Sequence, residues 1–232
     1  ETDVCVGPIL SRLAARAGLV FTQVDGDQHG LLMGLAGWAR TLGLEIVCGG
    51  KSRDGEFILS QRHRTVSDGR TVVQLAPAEN EIFNRLPLDQ VAPTLAERAR
   101  LLATLPQIHD FDLCEMAIAA NGTGLMPDVP ELNAPILRLT EIAEALCPQS
   151  EGGILSQSGA IETITCLRSE DDVAMGGGVF LVVSSDSECA RRILKNKGHK
   201  SNRRPQYTLL HRPYHLCGVE TAISVMNAAL LR

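Results

Sequence analysis

The sequence predicts an α/β protein made of two parts, a doubly wound sheet segment and a larger α+β region. In residues 1–50, short β-branched or alternating runs take turns with apolar residues at helical spacing. This is the pattern of parallel strands joined by crossover helices. After residue 50 strands and helices no longer alternate, and two strong strand runs lie among longer helical patterns. We therefore expect one domain in residues 1–50 and a second in 51–232.

The first part is expected to alternate strands with helices. Strand runs occupy residues 2–6, 19–24 and 44–50, and helical runs occupy 9–18 and 31–43. Each helical run ends at a glycine, the residue that most easily adopts the left-handed backbone found after a helix. Residues 1–50 thus resemble part of an open parallel sheet.

The second part is expected to mix strands and helices without a repeating unit. Its helix 111–124 has a clear end, because Gly124 is followed by Pro127. The other helical runs are 88–105, 140–146, 186–198 and 218–231, and the strand runs are 56–60, 71–75, 160–167, 177–185 and 206–211.

Composition is that of an ordinary globular protein. Of 232 residues, 44% are hydrophobic and 21% charged, and the net charge of −5 does not favour nucleic acid or an anionic membrane as a partner. No apolar run approaches the roughly 20 residues that span a bilayer. Seven cysteines, an odd number without a C-x-x-C pair, predict free thiols in a cytoplasmic protein and no metal site. The chain starts with Glu1 and ends within a helical pattern, so we expect a piece of a longer protein.

The turn "VDGDQHG", residues 24–30, places polar groups between a predicted strand and a predicted helix. Ligands of open parallel sheets bind at such strand ends. Asp27 could cap the following helix. Asp25 and Gln28 exceed what a cap needs, which favours a ligand, although a simple capped turn remains the alternative.

Two further side chains have the chemistry of a reaction site. Lys51 lies just past two glycines at a strand end, where it could bind an anion or polarise a carbonyl. Glu115 borders the apolar stripe of helix 111–124, where partial burial would suit acid–base work. The alternatives are a solvated loop lysine and a surface glutamate.

The segment "LLHRPYHLCG", residues 209–218, is the densest polar cluster. His211, Arg212, Tyr214 and His215 surround Pro213 between a predicted strand and helix. Arginine offers a fork for carboxylate or phosphate, and histidine transfers protons near neutral pH. The cluster therefore favours a functional site, with a hydrogen-bonded polar corner as the alternative.

Four stretches, taken in order, resemble one family. "TDVCVGPIL…AGLVFTQVDGDQHGLL", "CEMAIAANGTGLMPDVP", "CPQSEGGIL" and "LLHRPYHLCGVETAISV" are similar to predicted homoserine-dehydrogenase-like oxidoreductases that carry a C-terminal SAF domain. These are related in architecture to 1-deoxyxylulose-5-phosphate reductoisomerase-like enzymes. The resemblance spans nearly the whole chain. Each motif alone is weak, and the motifs are specific to the family only when they occur together in this order.

The resemblance implies an NAD(P)-dependent oxidoreductase acting on a small polar, possibly phosphorylated, carbonyl or alcohol. Residues 1–50 would be the last part of a Rossmann-type domain, and 51–232 a central catalytic and dimerisation domain of a homodimer. The glycine-rich nucleotide loop would lie upstream and the SAF domain downstream.

The resemblance also suggests roles for residues of this chain. The expected catalytic residues are Lys51, Glu115 and His215. Substrate binding is expected from Arg212, His211, Tyr214 and Asn121, and cofactor binding from Asp25, Asp27, Gln28 and Gly7.

The chain departs from the family at two lysines. Cys5 and Val6 precede Gly7-Pro8 where homoserine dehydrogenases have Asn-Lys, and Phe111 stands where many relatives carry lysine. The two missing lysines argue against homoserine itself as the substrate. Two other functions remain open: a ligand sensor that kept the fold and lost turnover, and a mainly dimerising piece.

Overall fold

The computed structural model describes residues 3–107, 110–203 and 206–230 and confirms the α/β class. The helices are α1 (Asp3–Ala17), α2 (Gln28–Thr41), α3 (Pro77–Ile82), α4 (Val91–Leu101), α5 (Asp110–Thr123), α6 (Ile142–Ala145), α7 (Glu188–Asn196) and α8 (Thr221–Leu230). The strands are β1 (Glu45–Ser52), β2 (Phe57–Ser60), β3 (Thr65–Ser67), β4 (Val72–Gln74), β5 (Met126–Pro127), β6 (Ile136–Leu137), β7 (Ala160–Arg168), β8 (Val179–Ser184) and β9 (Tyr207–Arg212).

The strands form one mixed sheet in the order β4-β3-β2-β7-β1-β8-β9, with β5 and β6 also paired to β7. At its centre β1 runs parallel to β7, while β8 is antiparallel to β1 and β9 is antiparallel to β8. The central strands are buried along nearly their whole length, which explains their continuous apolar runs. Lys51 faces Thr163 in one ladder and Val179 in the other, so its backbone lies in the middle of the sheet.

The two faces of the sheet carry different helices. Val179, Leu181 and Val183 point toward the apolar cluster that contains residues of α2 and α5. The alternate residues Phe180 and Val182 belong to a second cluster, which includes α4 and α6. This period of two is the ordinary geometry of a strand. On the first face α2 packs on β1 and β8, α5 packs on β7, and the two helices contact each other.

The strands predicted at residues 2–6 and 19–24 are wrong. Asp3–Ala17 form the single helix α1, and residues 19–24 are irregular. A run of a few alternating residues fits a helix as well as a strand, and here the helical pattern that follows extends back to Asp3. Residues 19–24 have no hydrogen-bonded neighbour strand among the described residues.

The expected parallel sheet segment within residues 1–50 is therefore also wrong for the described residues. Their one strand, β1, pairs with β7 and β8, both from the predicted second domain, and it crosses the predicted boundary at residue 50. The division of the chain into two domains stays a prediction.

The other predicted elements are confirmed, with shifts of a few residues at their ends. The helix predicted at 88–105 is shorter, because α4 begins at Val91 and ends at Leu101. Strands β3, β5 and β6 were not predicted, since each has only two or three residues. In the described part of the chain no helix is long and apolar enough to cross a membrane.

Candidate active site

Lys51 is fully buried near the end of β1. Its strand approaches its neighbours closely, because a Cβ on Gly50 would lie 2.0 Å from the carbonyl oxygen of Glu162. A Cβ on Gly49 would meet Leu32 of α2 and Leu181. Side chains on the same face of β1 as position 49 therefore point toward α2 and α5. Two positions along the strand, Lys51 points the same way.

The Lys51 ammonium meets three oxygen atoms. Its Nζ lies 2.7 Å from Asp112 Oδ1 and 2.8 Å from Gln28 Oε1, and it also donates to Glu115 Oε2. Asp112 and Glu115 lie three residues apart on α5, a spacing that puts them on one face, and Gln28 opens α2. Gln28 and Glu115 accept hydrogen bonds from the ammonium, and Asp112 lies against it as an ion-pair partner. We call these four residues the Lys51 cluster.

The members of the Lys51 cluster differ in exposure. Asp112 is fully buried, whereas the Glu115 side chain is 23% exposed. The Phe111 ring lies over the ammonium, with Nζ 5.3 Å from its centroid, a distance that suits a cation–π contact. Glu115 is therefore the partner of Lys51 that solvent or a ligand reaches most easily.

A cavity of about 330 Å³ lies beside the cluster. Phe111, which covers Lys51, is part of its wall, and so is Asp54, whose Oδ1 accepts a hydrogen bond of 3.2 Å from Gln28 Nε2. Two arginines, Arg53 and Arg70, also line it. Burial lowers the pKa of Arg53, whose guanidinium lies 5.9 Å from the ring centroid of Phe57 and donates to the carbonyl of Pro106.

His215 reaches the same region from the other end of the chain. Its Nδ1 lies 2.9 Å from the carbonyl oxygen of Gly177. A Cβ on Gly177 would lie 2.5 Å from His215 Nδ1 and 2.6 Å from Asp54 Oδ1, and the residue has φ of +74°. Glycine is required here on both counts. Gly177 therefore brings His215 close to Asp54 and to the cavity wall.

Arg212 contacts Glu220 and Tyr214, two residues of its own chain segment. Arg212 Nη1 lies 3.2 Å from Glu220 Oε2, and Nη2 donates to Glu220 Oε1. This hydrogen bonding raises the pKa of Arg212. The guanidinium also lies 4.9 Å from the ring centroid of Tyr214. The fork that was expected to hold substrate is occupied by Glu220 in this structure.

His211 lies on β9 and is not among the residues that contact Lys51. Burial, followed by the charge of His199, lowers its pKa. Its Nδ1 is buried and has no hydrogen-bond partner among the described residues. The structure gives this imidazole no contact with the expected site, and its substrate-binding role stays a prediction.

The four residues predicted for the cofactor lie in different places. Asp27 caps α2, since its Oδ1 accepts from the backbone of Gln28 at 2.8 Å, which confirms the expected cap. Asp25 is bound to α8, where the Ser224 hydroxyl accepts from its backbone at 2.7 Å and donates to its carboxylate at 2.6 Å. Gly7 lies inside α1, and Gln28 belongs to the Lys51 cluster.

The cofactor-binding role of these residues stays a prediction. In the structure Asp25, Asp27 and Gln28 have protein partners. Gly7 does line a groove of about 410 Å³ between α1, α2 and α5, together with Asn121. This groove lies at the opposite end of α5 from Asp112 and Glu115.

Residues 111–221 match the family model described as the catalytic domain of oxidoreductase DRL. This match supports an oxidoreductase. The matched stretch starts at Phe111 and includes both carboxylates of the Lys51 cluster, Gly177 and His215. A comparison with curated proteins gave no match.

Two residues of the site were not predicted from the sequence. Asp112 lies three positions before Glu115, and this spacing could have marked a paired carboxylate on one helix face. Asp54 follows the strand end that carries Lys51, which is a position where ligand-binding residues occur. Gln28 was predicted as a cofactor ligand, but the structure places it against Lys51 instead.

Proposed function

We propose that this protein is an NAD(P)-dependent, homoserine-dehydrogenase-like oxidoreductase whose substrate is a small polar carbonyl or alcohol, with or without a phosphate group. The observation that carries the proposal is the Lys51 cluster. It is a buried ammonium between two carboxylates, next to a cavity, and both carboxylates belong to the segment that matches an oxidoreductase catalytic domain. The proposed cofactor rests on the resemblance and on the family match.

The reaction requires control of a proton at the substrate oxygen. The nicotinamide, when bound, supplies or accepts the hydride. An alcohol that loses a hydride must also lose its hydroxyl proton, and a carbonyl that gains one must gain a proton. The residues of this chain therefore have to stabilise a negative oxygen and to move a proton at that oxygen.

Lys51 and Glu115 would divide these two tasks. Three protein oxygens surround the Lys51 ammonium, so a substrate oxygen reaches it only if one of them leaves. Glu115 is the more exposed of the two carboxylates. We infer that the substrate oxygen replaces it on Lys51, after which the Glu115 carboxylate exchanges a proton with the substrate hydroxyl.

The cavity would hold the remainder of the substrate. Arg53 and Arg70 are cations in its wall, and their guanidinium groups suit a carboxylate or phosphate. These two cations support a small substrate with an anionic end.

A second candidate is a ligand sensor without turnover. The observation in its favour is that Lys51 is already satisfied by protein oxygens, as a structural ion cluster would be. In that case the cavity would bind a ligand, and Lys51 would only hold α2 and α5 on the sheet.

The test uses the full-length protein. Titration with NADPH and NADH, followed by nicotinamide fluorescence, measures cofactor binding, and absorbance at the nicotinamide band then measures turnover of hydroxy acids and sugar phosphates. We expect Lys51→Met to bind the nucleotide as the wild type does and to lose about 10²–10⁴-fold in turnover. The control is Lys195→Met on α7, where the lysine is exposed.

Two results would contradict the proposal. One is a folded full-length protein that binds neither nucleotide. The other is Lys51→Met with the turnover of Lys195→Met. If nucleotide binding and circular dichroism show that Lys51→Met does not fold, Glu115→Gln takes its place in the same assays, since it leaves Lys51 paired with Asp112.

A further inference from the structure

The Gln28 side chain links Lys51 to the cavity wall. It lies at the first position of α2 and is almost fully buried. Its Oε1 accepts from Lys51 Nζ at 2.8 Å, and its Nε2 donates to Asp54 Oδ1 at 3.2 Å. The same Nε2 lies 3.4 Å from the carbonyl oxygen of Ser52. One amide therefore contacts a cation on one side and two oxygens on the other.

Only one orientation of this amide satisfies its surroundings. An ammonium can only donate hydrogen bonds, whereas a carboxylate and a backbone carbonyl can only accept them. In the reversed orientation the Gln28 NH₂ would face Lys51, and its oxygen would face Asp54 and Ser52. In a buried place such unmade hydrogen bonds are costly, because water cannot replace them.

The loop that carries Asp54 is held by backbone contacts. It follows β1 and leads to β2, and the glycine run 176–178 packs against it. A Cβ on Gly176 would lie 2.6 Å from the backbone oxygen of Asp54, and the backbone of Gly177 donates to the carbonyl of Arg53 at 3.2 Å. Asp54 itself is exposed, and these contacts place its backbone where the carboxylate reaches the buried Gln28 amide.

We propose that Asp54 is a positioning residue that acts through Gln28 on Lys51. By accepting from Nε2 it holds the amide with Oε1 toward the ammonium. This inference rests on the proposed function, in which Glu115 leaves Lys51 when substrate binds. Lys51 then keeps Gln28 as its hydrogen-bond acceptor and Asp112 as its ion-pair partner, so a reversed amide would leave the ammonium with the Asp112 contact alone.

The charged groups around Lys51 come from three elements. Asp112 and Glu115 on α5 face it directly, Asp54 acts through Gln28 of α2, and Arg53 follows it along the chain. The two carboxylates favour the charged ammonium and Arg53 opposes it. Because Asp54→Asn also removes a negative charge near Lys51, a variant that keeps the net charge is needed to separate the orientation of the amide from the loss of charge.

The first measurement is the pH titration of the Lys51 Nζ resonance in protein with ¹⁵N-labelled lysine, assigned by its loss in Lys51→Arg. In Asp54→Asn the introduced amide can donate or accept, so it no longer fixes the Gln28 amide. We expect Lys51 to lose its proton at lower pH than in the wild type. Asp68→Asn is the matched control, with the same charge change in the same cavity wall and no hydrogen bond to Gln28.

The second measurement is turnover. We expect Asp54→Asn to lower kcat about 10- to 100-fold, the range found when groups that orient metal ligands are replaced. KM should change much less, and Asp68→Asn should keep the wild-type kcat. The exchange variant Gln28→Glu/Asp54→Asn moves the carboxylate to position 28 and the amide to position 54 without a change in net charge. It restores an acceptor for Lys51, and we expect it to recover both the titration midpoint and kcat.

Equal titration midpoints in Asp54→Asn and Asp68→Asn would overturn the inference, as would an exchange variant no better than Asp54→Asn. The titration needs no substrate and no cofactor. If the wild-type protein shows no oxidoreductase activity, the proposed function fails while the titration still decides whether Asp54 positions Lys51.

Discussion

In the proposed function, Lys51 is the residue on which the reaction depends. Removing an ion from water costs several kcal/mol, even after the protein relaxes. Here the cost is offset by three oxygen atoms around the ammonium, two of which belong to carboxylates. A side chain held in this way is already in place before substrate arrives, which is the arrangement that electrostatic catalysis needs.

Glu115→Gln tests the residue that we expect to move the proton. An amide cannot exchange a proton near neutral pH, so the variant should lose the limb of the pH–kcat profile that reports Glu115. The full-length protein would be assayed between pH 5 and 9, with Glu188→Gln, an exposed glutamate on α7, as control. A variant profile that overlays the wild type would remove Glu115 from the acid–base role.

At the scale of elements, α4 is anchored by a buried ion pair far from the candidate site. Arg98 is fully buried and makes two parallel contacts with Glu141, of 2.6 and 3.0 Å. Arg98 also donates to the carbonyls of Ile82 and Ile136, and Glu141 accepts from the backbone of Leu86. The pair therefore joins α4 to the segments before and after it.

Arg98→Met should destabilise the protein by roughly 3–5 kcal/mol, because it leaves the carboxylate of Glu141 buried without its cation. Chemical denaturation measures the free energy of unfolding. Arg100→Met is the matched control on the same helix, because Arg100 pairs with Glu97 on the surface and its loss should barely move the midpoint. Equal midpoints for the two variants would show that the buried pair does not stabilise α4.

Over the whole molecule, the sheet brings residues from distant parts of the chain to the Lys51 cluster and to the loop of Asp54 that borders the cavity. Gln28 and Lys51 come from the first quarter, Asp112 and Glu115 from the middle, and His215 from the end. Exposed apolar side chains on α1 and α8 are consistent with further contacts, and they include Ile9, Leu13, Ile223, Val225 and Met226. The homodimer stays a prediction.

The free energy of unfolding should depend on pH through His211. Because its pKa is lowered in the folded protein, the stability that it contributes is present above its ordinary pKa of about 6.5 and is lost as pH falls through the folded value. Glu162 works in the opposite direction, since burial raises its pKa and stability is lost as pH rises through that value. Denaturation midpoints at pH 5 and pH 7 measure the combined effect of the two groups on the free energy of unfolding.

We expect His211→Leu to show a smaller loss of stability between pH 7 and pH 5 than the wild type. His63→Leu, on the exposed turn between β2 and β3, is the control and should keep the wild-type loss. If both variants lose as much stability as the wild type on acidification, the buried imidazole of His211 does not contribute to the pH dependence.

The sequence by itself determined the features that depend on near neighbours. The apolar runs of β7 and β8 predicted buried strands, Asp27 was expected to cap α2, and Gly124, with φ of +72°, ends α5 as predicted. Lys51 and Glu115 were also marked, because each has an unusual local setting. Caps, stops and periodicity act over a few residues, so a single sequence contains them.

Only the tertiary structure decided which of these residues meet. Lys51 contacts Gln28 and Glu115, which are 23 and 64 positions away, and no local pattern specifies such pairings. In the folded protein Arg212 pairs with Glu220 and does not line the cavity. Residues 19–24 have no strand partner in the part of the chain that the structure describes. The packing of α2 and α5 on the sheet produces the contacts of Lys51, because a buried ammonium is stable only where the fold brings enough oxygens to it.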